Sequence, residues 1–242
     1  MHALGPRVIP AARQGAKPET TRSLGRHAPA RGTDPGGMHV NGESNLDGAF
    51  SMTDPMAWLR HSLARAAQSE AFDPARAALA TVTPEGTPAV RYVLVKVIDE
   101  RGVAFFTNTS SAKANHLAAV AHASLAFHWA SIEEQVRISG PVERVSDDEV
   151  RAYFATRPRG SQLSAWASQQ SAPIENRAEL EANARDVQAR FGDADVPCPP
   201  SWGGYRIVPN RIEFWHNRDD RLHDRWLFTL ADSRWHVVRL QP

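Results

Sequence analysis

The sequence predicts a mainly β fold with helices at its periphery, an antiparallel barrel or sandwich. Three observations carry this. Between residues 77 and 107, short apolar runs are separated by tight turn signals, the pattern of a meander. Strand-like runs of the same kind return after residue 122 and again after residue 204. The helix start signals fall outside these runs, so the helices border the strands.

In chain order, residues 1–37 are rich in Gly, Pro, Ala and Arg and show no hydrophobic period. Such a segment buries too little apolar surface to offset its ordering entropy. Residues 1–37 are therefore expected to be disordered or translated upstream of the true start, for which Met38 is a plausible position, and residues 1–53 together to form an N-terminal tail or extension. The Arg-rich composition is a faint transit-peptide signal, weakened by few serines and no amphipathic helix. The folded domain is expected over 54–242. It opens with a helix at Asp54-Pro55, Asp as N-cap and Pro in the first turn, with Met56, Leu59, Leu63 and Ala66 as its buried stripe.

Ala77 to Val82 reads as a strand, Thr83-Pro84-Glu85-Gly86 as a turn and Pro88 to Ile98 as a longer strand. Asp99-Glu100-Arg101-Gly102 returns it into Val103–Thr107. Ser110 or Ser111 can cap a helix running through Leu117 and Val120. Strands follow at Ala123–Trp129 and Gln135–Val145. Ser146-Asp147-Asp148-Glu149 reads as a capping box for a helix ending near Arg157-Pro158. A short helix with Leu163 and Trp166 comes next, then one capped by Asn176 with Glu179 at its third position. After a Pro-rich loop, three closing strands are expected: Tyr205–Trp215, with a possible break at Pro209, Leu222–Leu230 and Trp235–Leu240.

Composition narrows the function classes. The net charge of +1 over 242 residues gives no global field toward nucleic acid or an anionic membrane. No basic stripe with interleaved aromatics appears outside the tail. No run approaches the roughly 18 apolar residues of a membrane span. Cys198 is the one cysteine, so an internal disulfide and a multi-cysteine zinc site are excluded; no metal is expected. A reducing, cytoplasmic compartment fits.

Several cations sit where a core or a bare helix would not favour them. On an extended chain Arg221, His223 and Arg225 share one face, and Leu222 and Asp224 the other. That face is either solvated or a floor for an anion, since Arg offers a planar fork of donors. Lys96 lies among Val93, Leu94, Val95, Val97 and Ile98, and burying it requires a partner unless it reaches solvent at the strand end. Strict alternation sets Lys96 and Arg91 on opposite faces, so they serve one site only through a bulge or with ligand groups on both sides. Lys113 falls in the first turn of its helix, where the dipole disfavours it unless an anion is bound there. Gln135 is a strand residue facing solvent or a heteroaromatic edge. Tyr153, Arg157 and Ser161 offer a phenol, a guanidinium and a hydroxyl around one helix end, a set that suits a phosphate monoester or simply caps a corner.

Taken in order, Arg91…Lys96, Phe106-Thr107, Lys113, Gln135, Tyr153…Arg157-Pro158-Arg159…Ser161-Gln162, Gln170-Ser171, Trp202-Gly203-Gly204, Glu213-Phe214-Trp215 and Arg221-Leu222-His223-Asp224-Arg225 closely resemble the pyridoxamine 5′-phosphate oxidase family, from about Asp54 to Pro242. The resemblance implies a split β-barrel working as a homodimer, with FMN at the subunit interface. It implies FMN contacts from Arg91, Tyr92, Val93, Leu94, Val95, Lys96, Phe106, Thr107, Lys113, Gln135, Gln170, Ser171, Trp215 and Arg225, with Lys113 and Arg91 on the FMN phosphate. Lys96, Tyr153, Arg157 and Ser161 would clamp the substrate phosphate. Arg221, Leu222 and His223 would lie over the substrate ring, with Arg221 and His223 as the catalytic pair. The implied reaction oxidises pyridoxamine 5′-phosphate or pyridoxine 5′-phosphate at its 4′ carbon to pyridoxal 5′-phosphate, with O₂ reduced to hydrogen peroxide.

Two departures stand out. Ala112 replaces the family's usual basic residue before Lys113, and no Arg-Arg-x-Tyr segment precedes Asp54. Two other functions remain in view. One is a flavin oxidase of the phenazine-biosynthesis type, which predicts loss of the phosphate clamp; the other is a non-catalytic FMN or pyridoxal phosphate carrier.

Overall fold

Nine strands and five α-helices make up residues 54–242, the residues described by a computed structural model. The tail expected over 1–53 lies outside the described residues. The elements are α1 (Pro55–Ala66), β1 (Arg76–Val82), β2 (Pro88–Asp99), β3 (Gly102–Asn108), α2 (Ala112–Ala119), β4 (His122–Trp129), β5 (Glu134–Arg144), α3 (Asp147–Ala155), α4 (Arg159–Ala167), α5 (Arg177–Phe191), β6 (Trp202–Ile207), β7 (Arg211–His216), β8 (Asp224–Ala231) and β9 (Arg234–Arg239).

Strand β5 organises the sheet. One edge pairs with β4 along its length, from His122↔Pro141 to Trp129↔Glu134. Its other edge is divided, with Glu134–Ser139 on β7 and Val142–Arg144 on β6. The order β4-β1-β2-β3-β6-β5 therefore closes into a six-strand barrel through β4–β5, and β7-β8-β9 leave it as an extension. This is the split barrel. The division explains why the expected strand over Tyr205–Trp215 is two strands. Pro209 has no N–H for a ladder, and the chain crosses there from one half of β5 to the other.

Period-two burial fills the barrel. Leu79, Val95, Phe105, Leu125, Phe127, Val136, Ile138, Ile207 and Ile212 are buried, each contributing on the order of 1.5–3 kcal/mol. Helix α1 is capped as expected, the Asp54 carboxylate accepting from Met56 N and Ala57 N. Its Trp58 stacks on Phe214 with centroids 4.4 Å apart and meets Trp226 and Phe228. This fixes α1 over the strands that leave the barrel. Ser146 caps α3, but the capping box is half formed, because the Glu149 carboxylate faces Arg101 and Arg206 instead. Arg206 is buried and ion-paired to Asp99 at 2.6 Å.

The β2–β3 register slips between Val95 and Val97, a bulge at Lys96 and one of the two ways Lys96 and Arg91 could serve one site. Val95 and Ile98 face the main core, whereas Val97 packs with Ala104, Val145 and Val150 on the opposite side. At the turn that follows, Gly102 has φ +134, and a Cβ there would lie 2.1 Å from Ile207 O and 2.8 Å from Pro209 Cδ. Gly102→Ala is expected to cost about 3 kcal/mol, read as a lower urea midpoint. An unchanged midpoint would contradict this packing of β6 against the turn.

Candidate active site

Two cation centres and one cross-strand row bring together the candidate site residues. The first centre lies where α2 meets β2 and β3. Lys113 is buried in the first turn of α2, and its Nζ donates to Thr107 Oγ1 at 2.9 Å and Ser111 Oγ at 3.0 Å. Ser111 sits at the N-cap position but makes no side-chain capping bond, since its hydroxyl serves the lysine. Thr107 passes its own proton to Gln170 Oε1 at 2.7 Å, which also accepts from Asn108 N. Arg91 donates to Leu79 O at 3.2 Å and Thr81 Oγ1 at 2.6 Å, and its second amino group lies 3.4 Å from His116 Nδ1. Burial, with the Arg91 charge adding to it, lowers the Lys113 pKa to about 8. Burial also lowers that of Arg91. Two neighbouring cations depressed in this way, with no carboxylate ion-paired to either among the described residues, form a site that an anion would stabilise. The donor set therefore fits a phosphoryl group.

The second centre lies at the α3–α4 corner. Lys96, brought round by the bulge, pairs with Asp73 at 3.7 Å. Tyr153 stacks on Phe106 with centroids 4.2 Å apart. Burial raises its pKa, the Arg157 charge opposes this, and Asp73 adds to it. Those same couplings draw Lys96, Asp73, Tyr153 and Arg157 into one neighbourhood. Arg157 Nη1 is buried without a hydrogen-bond partner. Pro158, at the N-cap of α4, supplies no side-chain cap, so the positive end of that helix stays open beside Ser161, its third residue. Asp73 was legible only as a turn residue before Pro74, and in that role it accepts from Ala75 N.

The third feature is a row across three strands. Gln135, Trp215 and Arg225 are direct cross-strand partners on β5, β7 and β8. Arg225 is held by Glu213 Oε1, at 3.0 Å from Nε and 2.8 Å from its terminal nitrogen, and donates to Gln241 O. Arg137 takes the other Glu213 oxygen. Burial pushes the Glu213 pKa up, but the hydrogen bonds from Arg225 and Arg137 outweigh it and hold the carboxyl below its usual value.

One expectation is corrected here. Arg221 and Leu222 are not strand residues, so Arg221, His223 and Arg225 do not share a face by alternation. Residues 219–221 form a 3₁₀ turn with Asp220 at φ 55 and Arg221 at φ 62, and β8 starts at Asp224. The turn leaves Arg221 and Leu222 exposed. His223 lies against the Trp215 ring, centroids 4.6 Å apart, and its Nδ1 accepts from Arg218 N at 3.2 Å. A neutral His223 therefore carries its proton on Nε2.

The other expected contacts are distributed as follows. Tyr92 and Leu94 point outward from β2, Val93 is half-buried, and the Val95 side chain is in the core, so Val95 can meet a ligand only through its backbone. Phe106 faces Tyr153, and Ser171, at φ 74, follows Gln170 beyond α4. Among the described residues, no contact joins Gln135, Trp215 or Arg225 to Arg91 or Lys113 within one chain.

Comparisons with known proteins bear on this arrangement. Residues 65–191 match the family model described as pyridoxamine 5′-phosphate oxidase, and residues 202–242 the model described as the pyridoxine 5′-phosphate oxidase C-terminal dimerisation region. A pyridoxine/pyridoxamine 5′-phosphate oxidase of Anaeromyxobacter dehalogenans is 52% identical over 189 residues, 78% of this chain and 96% of that protein. One from Ralstonia nicotianae is 48% identical over 200 residues, 82% of this chain and 94% of that protein. Among solved structures, PhzG from Burkholderia lata, in complex with tetrahydrophenazine-1-carboxylic acid, superposes with a TM-score of 0.73 at 32% identity, covering 78% of this chain and 93% of that one. A pyridoxamine 5′-phosphate oxidase-related, FMN-binding protein from Nostoc punctiforme shares the fold, with a TM-score of 0.64 at 20% identity over 80% of this chain and all of that one.

Proposed function

The chain belongs to the pyridoxamine 5′-phosphate oxidase family, and from that premise we propose that it oxidises pyridoxamine 5′-phosphate and pyridoxine 5′-phosphate to pyridoxal 5′-phosphate, using FMN and O₂. The observation that carries this reading is the pair of cation centres, Arg91 with Lys113 and Arg157 at the open end of α4, neither arginine being ion-paired to a carboxylate among the described residues. Two phosphate esters bound together, a flavin and a B6 vitamer, meet that requirement.

Arg91 and Lys113 hold the FMN phosphate, with Thr107, Gln170 and Ser171 at its rim. Residues Tyr92 to Lys96 run beside the flavin ring, and Phe106 borders it. Gln135, Trp215 and Arg225 reach the ring from the partner subunit. That assignment is supported by Trp215 and Arg225, which fall within the stretch 202–242 that matches the dimerisation region, with Gln135 as the cross-strand partner of Trp215. The outward stripe Val90, Tyr92 and Leu94 is exposed in one chain and suits burial between two copies. FMN, when bound, supplies the two-electron redox chemistry between the substrate's 4′ carbon and dioxygen.

Lys96, Tyr153, Arg157 and Ser161 grip the substrate phosphate, which fixes the ring and so positions the reacting carbon. Arg221, Leu222 and His223 cover that ring. The Arg218 N–H holds Nδ1 of His223 as an acceptor, which leaves Nε2–H to donate toward the substrate. The likeness to PhzG raises a second reading, a bulkier substrate without a phosphate. The intact clamp of Lys96, Tyr153, Arg157 and Ser161 argues against it.

The test is direct. Purified protein is expected to show a flavin absorption spectrum, and added pyridoxamine 5′-phosphate under air to consume oxygen and yield hydrogen peroxide and pyridoxal 5′-phosphate. Flavin binding without oxygen uptake would favour a carrier, and protein that takes up no flavin would refute the reading.

A further inference from the structure

We infer that Trp202 is a positioning residue for the substrate-phosphate clamp. Its indole face orients the Arg157 guanidinium while leaving the charge and the N–H donors of that arginine for a phosphate monoester. The inference rests on the reading of Arg157 given above.

The contrast with the carboxylate-paired arginines carries it; Arg76, Arg144 and Arg190 also lie over rings, but they are exposed, whereas Arg157 is half-buried. Arg65, Arg101, Arg137, Arg206, Arg218, Arg225 and Arg239 are each fixed by a carboxylate. Arg157 is fixed by rings, its guanidinium carbon lying 4.7 Å from the Trp202 centroid and 5.4 Å from that of Phe154. A carboxylate would orient the guanidinium equally well, but it would cancel the charge and occupy the fork. An aromatic face attracts the cation through its quadrupole and uses no N–H donor. The buried Nη1 of Arg157, with no partner, is the donor this arrangement keeps in reserve.

Trp202 is itself well held. Its backbone N–H donates to Pro199 O at 3.0 Å, and it pairs with Asn108 at the start of β6. Its ring stacks on Phe106 at 5.5 Å and 9°, and Phe106 stacks on Tyr153 at 4.2 Å and 19°. Gly204 faces Phe106 across the strands, and a Cβ there would lie 2.8 Å from the ring. The missing side chain leaves room for the Phe106 ring, and Trp202 also lies 6.0 Å from Tyr153, nearly parallel to it at 12°. Tyr153 and Arg157, two arms of one clamp, thereby share one cluster of near-parallel rings.

The experiment compares Trp202→Leu, Trp202→Phe and Arg157→Ala in flavin-loaded dimers. Trp202→Leu is expected to raise KM for pyridoxamine 5′-phosphate and the inhibition constant of inorganic phosphate each about tenfold, within the range of a desolvated cation–π contact. Its kcat and flavin content should stay near the parent values. Trp202→Phe keeps an aromatic face and should recover most of both constants. Arg157→Ala is expected to raise KM further than either. If Arg157→Ala raises KM and Trp202→Leu does not, the role of Trp202 is refuted and the clamp stands. If Arg157→Ala leaves KM unchanged, the clamp itself is refuted. Loss of flavin, or an equal fall in kcat for the Leu and Phe variants, would mark Trp202 as packing alone and overturn the inference.

Discussion

Replacing Arg221 by alanine is expected to lower kcat at least a hundredfold while the flavin stays bound. Arg221 stands on a 3₁₀ turn at φ 62, next to Asp220 at φ 55, so two successive residues occupy a conformation that L-residues seldom adopt. Such strain persists only where the surroundings hold it, and it gathers at functional positions. Here the turn leaves the Arg221 side chain exposed and leads into His223, which lies against the Trp215 ring. In the proposed division of roles the side chain bears on the substrate ring and hardly at all on flavin retention. Losing a group that aligns the reacting carbon commonly costs about two orders of magnitude in rate. Arg221→Lys keeps the charge but loses the planar fork, and an intermediate rate is expected. Turnover at saturating pyridoxamine 5′-phosphate, together with the ratio of flavin to protein absorbance, checks both. A colourless Arg221→Ala protein, or one with parental kcat, would show that the division of roles is wrong.

The error in reading this turn shows where sequence patterns stop. Apolar flanks at Phe214-Trp215 and Trp226-Leu227-Phe228 look like strands, and they are. Arg221, Leu222 and His223, which lie between these flanks, inherited that label because no Gly or Pro announces the two left-handed residues Asp220 and Arg221. The bulge at Lys96 was within reach for the opposite reason: a charged residue out of phase with Arg91 in an apolar strand can be reconciled by a slipped register. The break at Pro209 was visible because proline forfeits a ladder bond. Nothing local, by contrast, shows that β5 divides one edge between β6 and β7, since that depends on barrel closure. Asp73 and Trp202 were missed similarly. Each reads as a turn or motif residue, and only tertiary packing brings Asp73 to Lys96 and Trp202 under Arg157. The candidate site residues were legible where they break a pattern, as Lys113 and Lys96 do, and opaque where they conform to one.

The affinity for FMN is expected to fall as pH rises above about 8, and Lys113→Met to abolish that dependence. In the ligand-free pocket, burial lowers the Lys113 pKa to about 8, and the nearby Arg91 charge contributes in the same direction. A phosphate dianion placed between the two cations reverses the balance, because the charged lysine then has a partner. The pKa in the complex is therefore higher than in the free protein, and binding takes up a proton wherever pH lies between the two values. Below pH 8 Lys113 is charged in both states and contributes no slope. Above it the free protein has lost the proton that binding must restore, so the dissociation constant rises by up to about tenfold per pH unit. At the acid end, the second ionisation of the phosphate, near pH 6, weakens binding from the other side. The strongest binding thus falls between about pH 6 and 8. Lys113→Met removes the titrating group together with a charge-assisted hydrogen bond, and is expected to weaken binding about a hundredfold at pH 7. Quenching of flavin fluorescence, titrated from pH 7 to 10, measures all of this. Riboflavin, which has no phosphate, is the control and should show no such alkaline limb. A flat FMN profile across that range in the parent protein, or an alkaline limb that survives in Lys113→Met, would mean that Lys113 does not face the phosphate.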